Sequence, residues 1–387
     1  MLHEPPNVFS PRHLSHAVIG WPAGAAPCRN PVIGVLLGEG IGPEVMHAAL
    51  RVLEAAAARE SFSYSLRTGG KIGNESIRAC GKALSDEVVE FCEAIFAEGG
   101  AILAGPGGGR FVYDVRTRFG LYCKLSPIWP SPSLDDTGVI RHRARTGIDL
   151  VIVRENMAGL YLGRWATRTD PTVGDIATHE FEYRQDQVAR VIDVGVALAK
   201  ARRGKLCIVV KEAGMPSMSK LWLETLEERS AGHGLDTRVL DIDNAVYQVI
   251  ADAARLDVVV ASNMLGDIVG DCAALLLTSR GMSFSGNFGA PGVAVYQTAH
   301  GAAYDLLGAG TANPIGQIYS VAMMLRESFG LEHGAEAIET AIEWVLAKGW
   351  RTPDIASPSC QVIGTREMGD RIAEALTNEE MTAGRTG

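Results

Sequence analysis

Val32-Ile33-Gly34-Val35-Leu36-Leu37-Gly38-Glu39-Gly40-Ile41-Gly42-Pro43-Glu44 joins an apolar run to a glycine turn and then to a proline. The run reads as a strand. Pro43 suits the first turn of a helix, where an N–H would find no partner anyway. Residues 45–58, rich in Ala, Leu and Glu, continue that helix. The glycine spacing superficially matches a dinucleotide-binding fingerprint. It fails at Pro43, where the pattern needs a Gly so that helix and strand can approach closely. No Walker A sequence is present either. The turn is thus either a plain connection or a cofactor contact of another geometry.

The same alternation continues outward. Residues 86–97 read as a helix with Ser85 as its N-cap, and residues 101–104 as a strand stopped by the glycine cluster 105–109. Strands are predicted over 148–153, 206–210 and 257–261, and an extended segment over 239–243. Helices are predicted over 187–200, 221–229, 267–277, 313–329 and 335–347. Strands alternating with helices imply an α/β sheet covered on both faces. Arg154, Lys211 and Asn263 each fall just after such a strand. Open α/β sheets bind ligands beyond the carboxyl ends of their strands, so these residues belong on one rim.

The 387 residues suggest roughly two domains, at about 100–200 residues each. The formal charge of −9 argues against a nucleic-acid backbone or an anionic membrane as main partner, though not against a local basic pocket. The seven cysteines are widely spaced with no C-x-x-C pair, which disfavours a disulfide framework or a Cys-rich zinc site. Residues 1–30 are proline-rich and lack a basic start followed by an apolar core, so they do not read as a secretory signal. We expect them to be a poorly ordered extension, and the protein to be cytoplasmic. No apolar run approaches the roughly 20 residues needed to span a bilayer.

Several residues carry candidate chemistry. Asp267 and Asp271, four apart on a predicted helix, share a face. They repel unless water or a cation lies between them, and Mg²⁺ and Mn²⁺ favour such oxygen ligands. Asp243 could supply a third. A solvated acidic face is the plain alternative, made less apt by apolar and small neighbours. His300-Gly301 through Asp305, Gly308, Gly310 and Asn313-Pro314 form a glycine-rich loop leading into a helix, either a nucleotide cradle or a structural loop capped by Asn313. Arg110, Arg116, Lys124 and Arg154 lie around strand ends and, if convergent, would make an anion pocket.

Taken in order, these segments resemble the isocitrate/3-isopropylmalate dehydrogenase family, the metal-dependent β-decarboxylating dehydrogenases. The resemblance runs over residues 31–355 and rests on Gly38 to Glu44, Arg154-Glu155-Asn156 through Gly159-Leu160-Tyr161, Ser262 to Ile268 with Asp271, His300-Gly301 through Asp305, Asn313-Pro314 and Arg351-Thr352-Pro353-Asp354. It implies a two-domain open α/β sheet that is not a Rossmann fold. Residues 31–121 and 278–387 would form a larger cofactor-binding domain, and 122–277 a smaller one with the dimer interface and metal ligands.

The resemblance also implies roles. Asp267 and Asp271 would hold Mg²⁺ or Mn²⁺ with Asp243 from a second subunit. Arg116 and Arg154 would grip carboxylates, and Tyr161 and the other subunit's Lys211 would form an acid–base pair. His300, Gly301, Asp305 and Asn313 would lie at the cofactor. Asp305, able to accept hydrogen bonds from a ribose and to repel a 2′-phosphate, points to NAD. The substrate would be a 3-substituted malate, a hydroxy-dicarboxylic or tricarboxylic acid, and the protein a homodimer whose subunits share their active sites. Arg110 and Tyr113, in the family's specificity element, would touch its C3 substituent, an anionic group if Arg110 pairs with it.

The departures ring the substrate. Glu39 stands where the family usually has Asp. Ser126 stands where it usually has a second arginine, so one grip is missing, and Lys124 or Arg110 could partly replace it. Lys211-Glu212-Ala213 replaces Lys-Ala-Asn. Two further readings therefore stay open: a tartrate-like hydroxy-acid dehydrogenase without decarboxylation, and a catalytically silent regulatory subunit.

Overall fold

The computed structural model describes residues 13–18 and 27–378. In chain order its strands are β1 (Val32–Leu36), β2 (Ser65–Thr68), β3 (Ala101–Ala104), β4 (Cys123–Ile128), β5 (Leu150–Glu155), β6 (Arg164–Asp170), β7 (Gly174–Glu180), β8 (Lys205–Val210), β9 (Asp236–Asp241), β10 (Val258–Ala261), β11 (Phe284–Phe288), β12 (Ala294–Thr298), β13 (Trp350–Arg351) and β14 (Gln361–Val362). Ten of them form one mixed sheet in the order β2-β1-β3-β12-β11-β4-β5-β10-β8-β9. The first four run parallel, as do the last four, while β12, β11, β4 and β5 pair antiparallel in succession. The two parallel quartets therefore point in opposite directions. Loops after β1, β3 and β12 gather at one edge, and loops after β5, β8 and β10 at the other.

Apolar runs make these strands because both faces are covered. On β1 and β3, Val35 and Leu103 join the large core that also takes in Val52 and Leu53 of the helix Gly42–Glu60, whereas Leu36, Ile102 and Ala104 pack with Val88, Cys92 and Ile95 of the helix Asp86–Ala97. That second helix starts as its sequence indicates, with Val88 N donating to Ser85 Oγ at 3.3 Å. Every residue of β5 and β10 is buried. The polar hairpin β6–β7 stands apart from the sheet with mostly exposed residues.

Three local expectations are revised. The extended segment over 239–243 ends at Asp241, so Asp243 lies in the first turn of the helix Ile242–Asp252 rather than at a strand end. The helix expected to start at Asp267 starts at Asn263 and, after Ala273, tightens into a 3-10 turn, Ala274–Leu277. The extension expected over residues 1–30 falls largely outside the described residues. Within it, however, Leu14, Ser15, Ala17 and Val18 are buried, and Leu14 N and Ser15 N donate to Glu327 at 2.9 and 2.7 Å. All seven cysteines are free. Among the described residues no helix is long and apolar enough to cross a membrane.

Candidate active site

β4 passes through the middle of the sheet, and its alternate residues Lys124, Ser126 and Ile128 face one cavity of ≈ 40 Å³. Arg154 of β5 lies directly across from Lys124 in register and lines the same cavity. The opposite wall is the helix Asn263–Ala273, whose Asp267 and Asp271 face it one turn apart. The structure thus gathers Ser126, Arg154, Asp267 and Asp271 around one space, with Arg116 buried nearby.

Arg154 is locked in place. Its Nε and Nη2 donate to Asn263 Oδ1 at 3.2 and 2.8 Å, and its Nη1 donates to Asp267. Asn263 in turn donates to the Ala158 carbonyl at 3.0 Å. The stem of Arg154 runs against Gly266, where a Cβ would come within 2.9 Å of Arg154 Cγ. The glycine in Asn263-Met264-Leu265-Gly266-Asp267 is therefore what lets this helix approach the arginine. Burial pushes the Asp267 carboxyl up, but Arg154 foremost, with Lys124 and the Tyr161 hydroxyl, outweighs it and holds the group below the usual carboxylate range. The same contact acts on Tyr161, where burial and then the Asp267 charge push the phenol up to about 12.

The cations crowd one another. Arg116 is 4% exposed, its Nη1 has no hydrogen-bond partner, and burial followed by Arg154 pushes its pKa down to about 9. Lys124 is 8% exposed, and burial, then Arg154 and Arg116, push it down to about 7. Asp271, the second acid, pairs with Arg280.

Other expected residues lie elsewhere. Arg110 does not line this cavity: its guanidinium sits 5.0 Å from the Tyr113 ring and 4.8 Å from the Trp165 ring, and donates to the Tyr161 carbonyl at 3.3 Å. Tyr113 meets Tyr161 edge to face, with centroids 5.7 Å apart. Lys211 Nζ pairs with Asp243 at 2.7 Å and Asp241 at 3.4 Å. In one chain Asp243 is thus a counter-ion to Lys211. Among the described residues no three His, Cys, Asp or Glu side chains come together as a metal site. Two acids on one helix face still fit a hard cation, as part of a ligand set completed from outside the chain.

At the opposite edge, three loops are tied by backbone groups. Ile41 N donates to the Ala302 carbonyl at 3.0 Å, and at Gly40, with φ +59°, a Cβ would collide with that carbonyl. Glu39 is buried and accepts from Glu75 N and Gly108 N, both at 2.6 Å, which explains an acid longer than Asp at this position. His300 donates from Nδ1 to the Gly301 carbonyl at 2.8 Å, while its buried Nε2 has no partner. Asp305 is exposed in the turn Tyr304–Leu306. Asn313 is occupied within the fold, donating to Asp354 at 3.1 Å and accepting from Ile315 N at 3.0 Å. The sequence places Asn263 only on the rim and gives Glu39 and Arg280 no role in the site. The strand-end position of Asn263 was the one local signal available.

Residues 32–372 match the model of the isocitrate/isopropylmalate dehydrogenase family. The chain belongs to that family. It is 36% identical to the 3-isopropylmalate dehydrogenase of Pseudomonas fluorescens (strain Pf0-1) over 361 residues, 89% of this chain and 98% of that protein. It is 34% identical to the 3-isopropylmalate dehydrogenase of Aquifex aeolicus (strain VF5), covering 89% and 96%. Among solved structures, isocitrate dehydrogenase from Methylococcus capsulatus superimposes with a TM-score of 0.80 at 28% identity, over 90% of this chain and all of that one. The family likeness bears out the expected β-decarboxylating dehydrogenase fold and explains the rejected dinucleotide fingerprint, since family and fold are shared without it.

Proposed function

We propose that this family member is an NAD-dependent, Mg²⁺- or Mn²⁺-dependent enzyme that oxidises and decarboxylates a 3-substituted malate. The observation that carries the reading is the cavity in which Arg154 and Lys124, with Arg116 buried beside them, converge on two aspartates of one helix face. An anionic substrate and a divalent cation satisfy opposite halves of it.

Bound by Asp267 and Asp271 with the partner subunit's Asp243, the cation would acidify the substrate hydroxyl, and nicotinamide would accept the hydride. Everything else falls to side chains. Arg154 and Arg116 hold a substrate carboxylate. Tyr161, whose phenol stays protonated well above neutrality, is placed to give a proton to the carbon that loses CO₂. The partner subunit's Lys211, once it has given up its own proton as Asp243 turns to the cation, would accept the hydroxyl proton. Lys211 and Asp243 of one chain neutralise each other, and serving a neighbouring site would redirect both. Exposed Tyr247, Ile268 and Leu275 on and beside the helices that carry Asp243 and Asp267 support a homodimer joined there. Asp305 supports NAD. The two sheet halves support the two-domain division, and the acidic balance supports the absence of nucleic-acid or anionic-membrane partners.

The test is NADH formation with Mg²⁺ or Mn²⁺ across malates bearing apolar, bulky, carboxylated and phosphonylated C3 groups. We expect metal-dependent turnover on at least one. No turnover on any would favour a silent subunit.

A further inference from the structure

Lys124 is a buried amine that lines the cavity and makes no hydrogen bond or ion pair with another described side chain. The opposite charges that act on it are Asp267 and Asp271. Both are already engaged, Asp267 by Arg154 and Tyr161, Asp271 by Arg280. Arg116, also buried, leaves its Nη1 without a partner. Burying two cations in this way is costly unless an anion arrives to pair with them. Period-two alternation puts Ser126 on the same cavity wall as Lys124, so the lysine reaches the space that a long side chain at 126 would otherwise fill. The polar handle beside it is only a hydroxyl.

We propose that Lys124 is a substrate-binding residue that pairs with a carboxylate of the substrate's malate core, opposite Arg154, across the space left open beside Ser126. The assignment rests on the reading of the site as one for a malate-type acid. A lysine is a compact point charge, whereas an arginine imposes a planar fork. The carboxylate is therefore held without a fixed orientation, and the effect of removing Lys124 is common to malates whatever their C3 group.

The test is calorimetric binding of D-malate and of 3-isopropylmalate to the full chain with Mn²⁺ present and NAD absent, together with Mn²⁺ binding alone. Lys124→Met should weaken both acids about 10- to 100-fold, the range of a charge-assisted bond. It should leave Mn²⁺ binding unchanged or tighter, because a cation beside the acids is gone. Lys124→Met combined with Ser126→Arg should recover much of the loss, which also shows that the cavity still folds. If Lys124→Met binds both acids like the wild type, or loses only Mn²⁺ affinity, the lysine merely balances the aspartates and the proposal is overturned. If the wild type binds neither acid, the reading of the site as malate-binding fails with it.

Discussion

At one edge of the sheet, beyond β5, β8 and β10, long charged side chains define the space: Arg154 fixed by Asn263 and Asp267, Lys124 and Arg116 behind it, and Lys211 paired with Asp243. At the other edge, beyond β1, β3 and β12, the loops are joined by backbone hydrogen bonds, glycines and one buried acid, Glu39. The first edge suits a small polyanion, whose charge must be met at fixed points. The second, under the proposed function, would take a dinucleotide that lies along the loops. The two edges meet at the cavity, whose wall includes Ala299 just after β12, and Arg110 after β3 reaches the Tyr161 carbonyl after β5.

The sharpest way to break this contrast is at the charged edge. Asp267→Asn should abolish metal-dependent turnover while the protein stays folded, because an amide lacks the anionic oxygen a hard cation prefers. Full activity with unchanged Mn²⁺ binding would remove the metal from this edge. Next in size, Tyr161→Phe and Lys211→Met should each lower turnover roughly 10²–10⁴-fold. Because the two residues would serve one site from different subunits, mixing the two inactive variants under subunit exchange should restore part of the activity. A mixture as inactive as its components would place both within a single chain.

The sequence showed much of this architecture where the cause was local. Pro43 and the Ala-rich run after it mark a helix start, Ser85 caps the next helix, and Asp267 and Asp271 share a face by spacing alone. It hid what depends on distant partners. β4 carries Lys124 and Pro127, and a proline argues against an interior strand because it cannot donate to the ladder, yet β4 lies sixth of ten. The hairpin β6–β7 has no apolar alternation to read. Arg110 looked free to meet a substrate because nothing local places Trp165 against its guanidinium. Nor could spacing show that Lys211 meets Asp243, 32 residues away, or that Arg154 leans on Asn263, 109 away.

The loop edge gives smaller expected effects. Glu39→Ala leaves two part-buried N–H donors without their acceptor and should cost up to about 1–3 kcal/mol for each that water does not reach. Thermal unfolding measures this, and NAD binding should weaken more than Mn²⁺ binding. Equal weakening of both would mean that the two edges are coupled. Smaller still, Asp305 should favour NAD over NADP by at least about tenfold, roughly 1.4 kcal/mol. Equal kcat/KM with both cofactors would detach Asp305 from the cofactor.

The division of labour between the edges is tested most directly by the stoichiometry of NADH and CO₂ released from a single 3-substituted malate, with and without EDTA. We expect one CO₂ per NADH, with both lost when EDTA removes the cation and restored by excess Mn²⁺. NADH without CO₂, or turnover that EDTA leaves intact, would contradict a charged edge built to oxidise and decarboxylate a metal-bound acid.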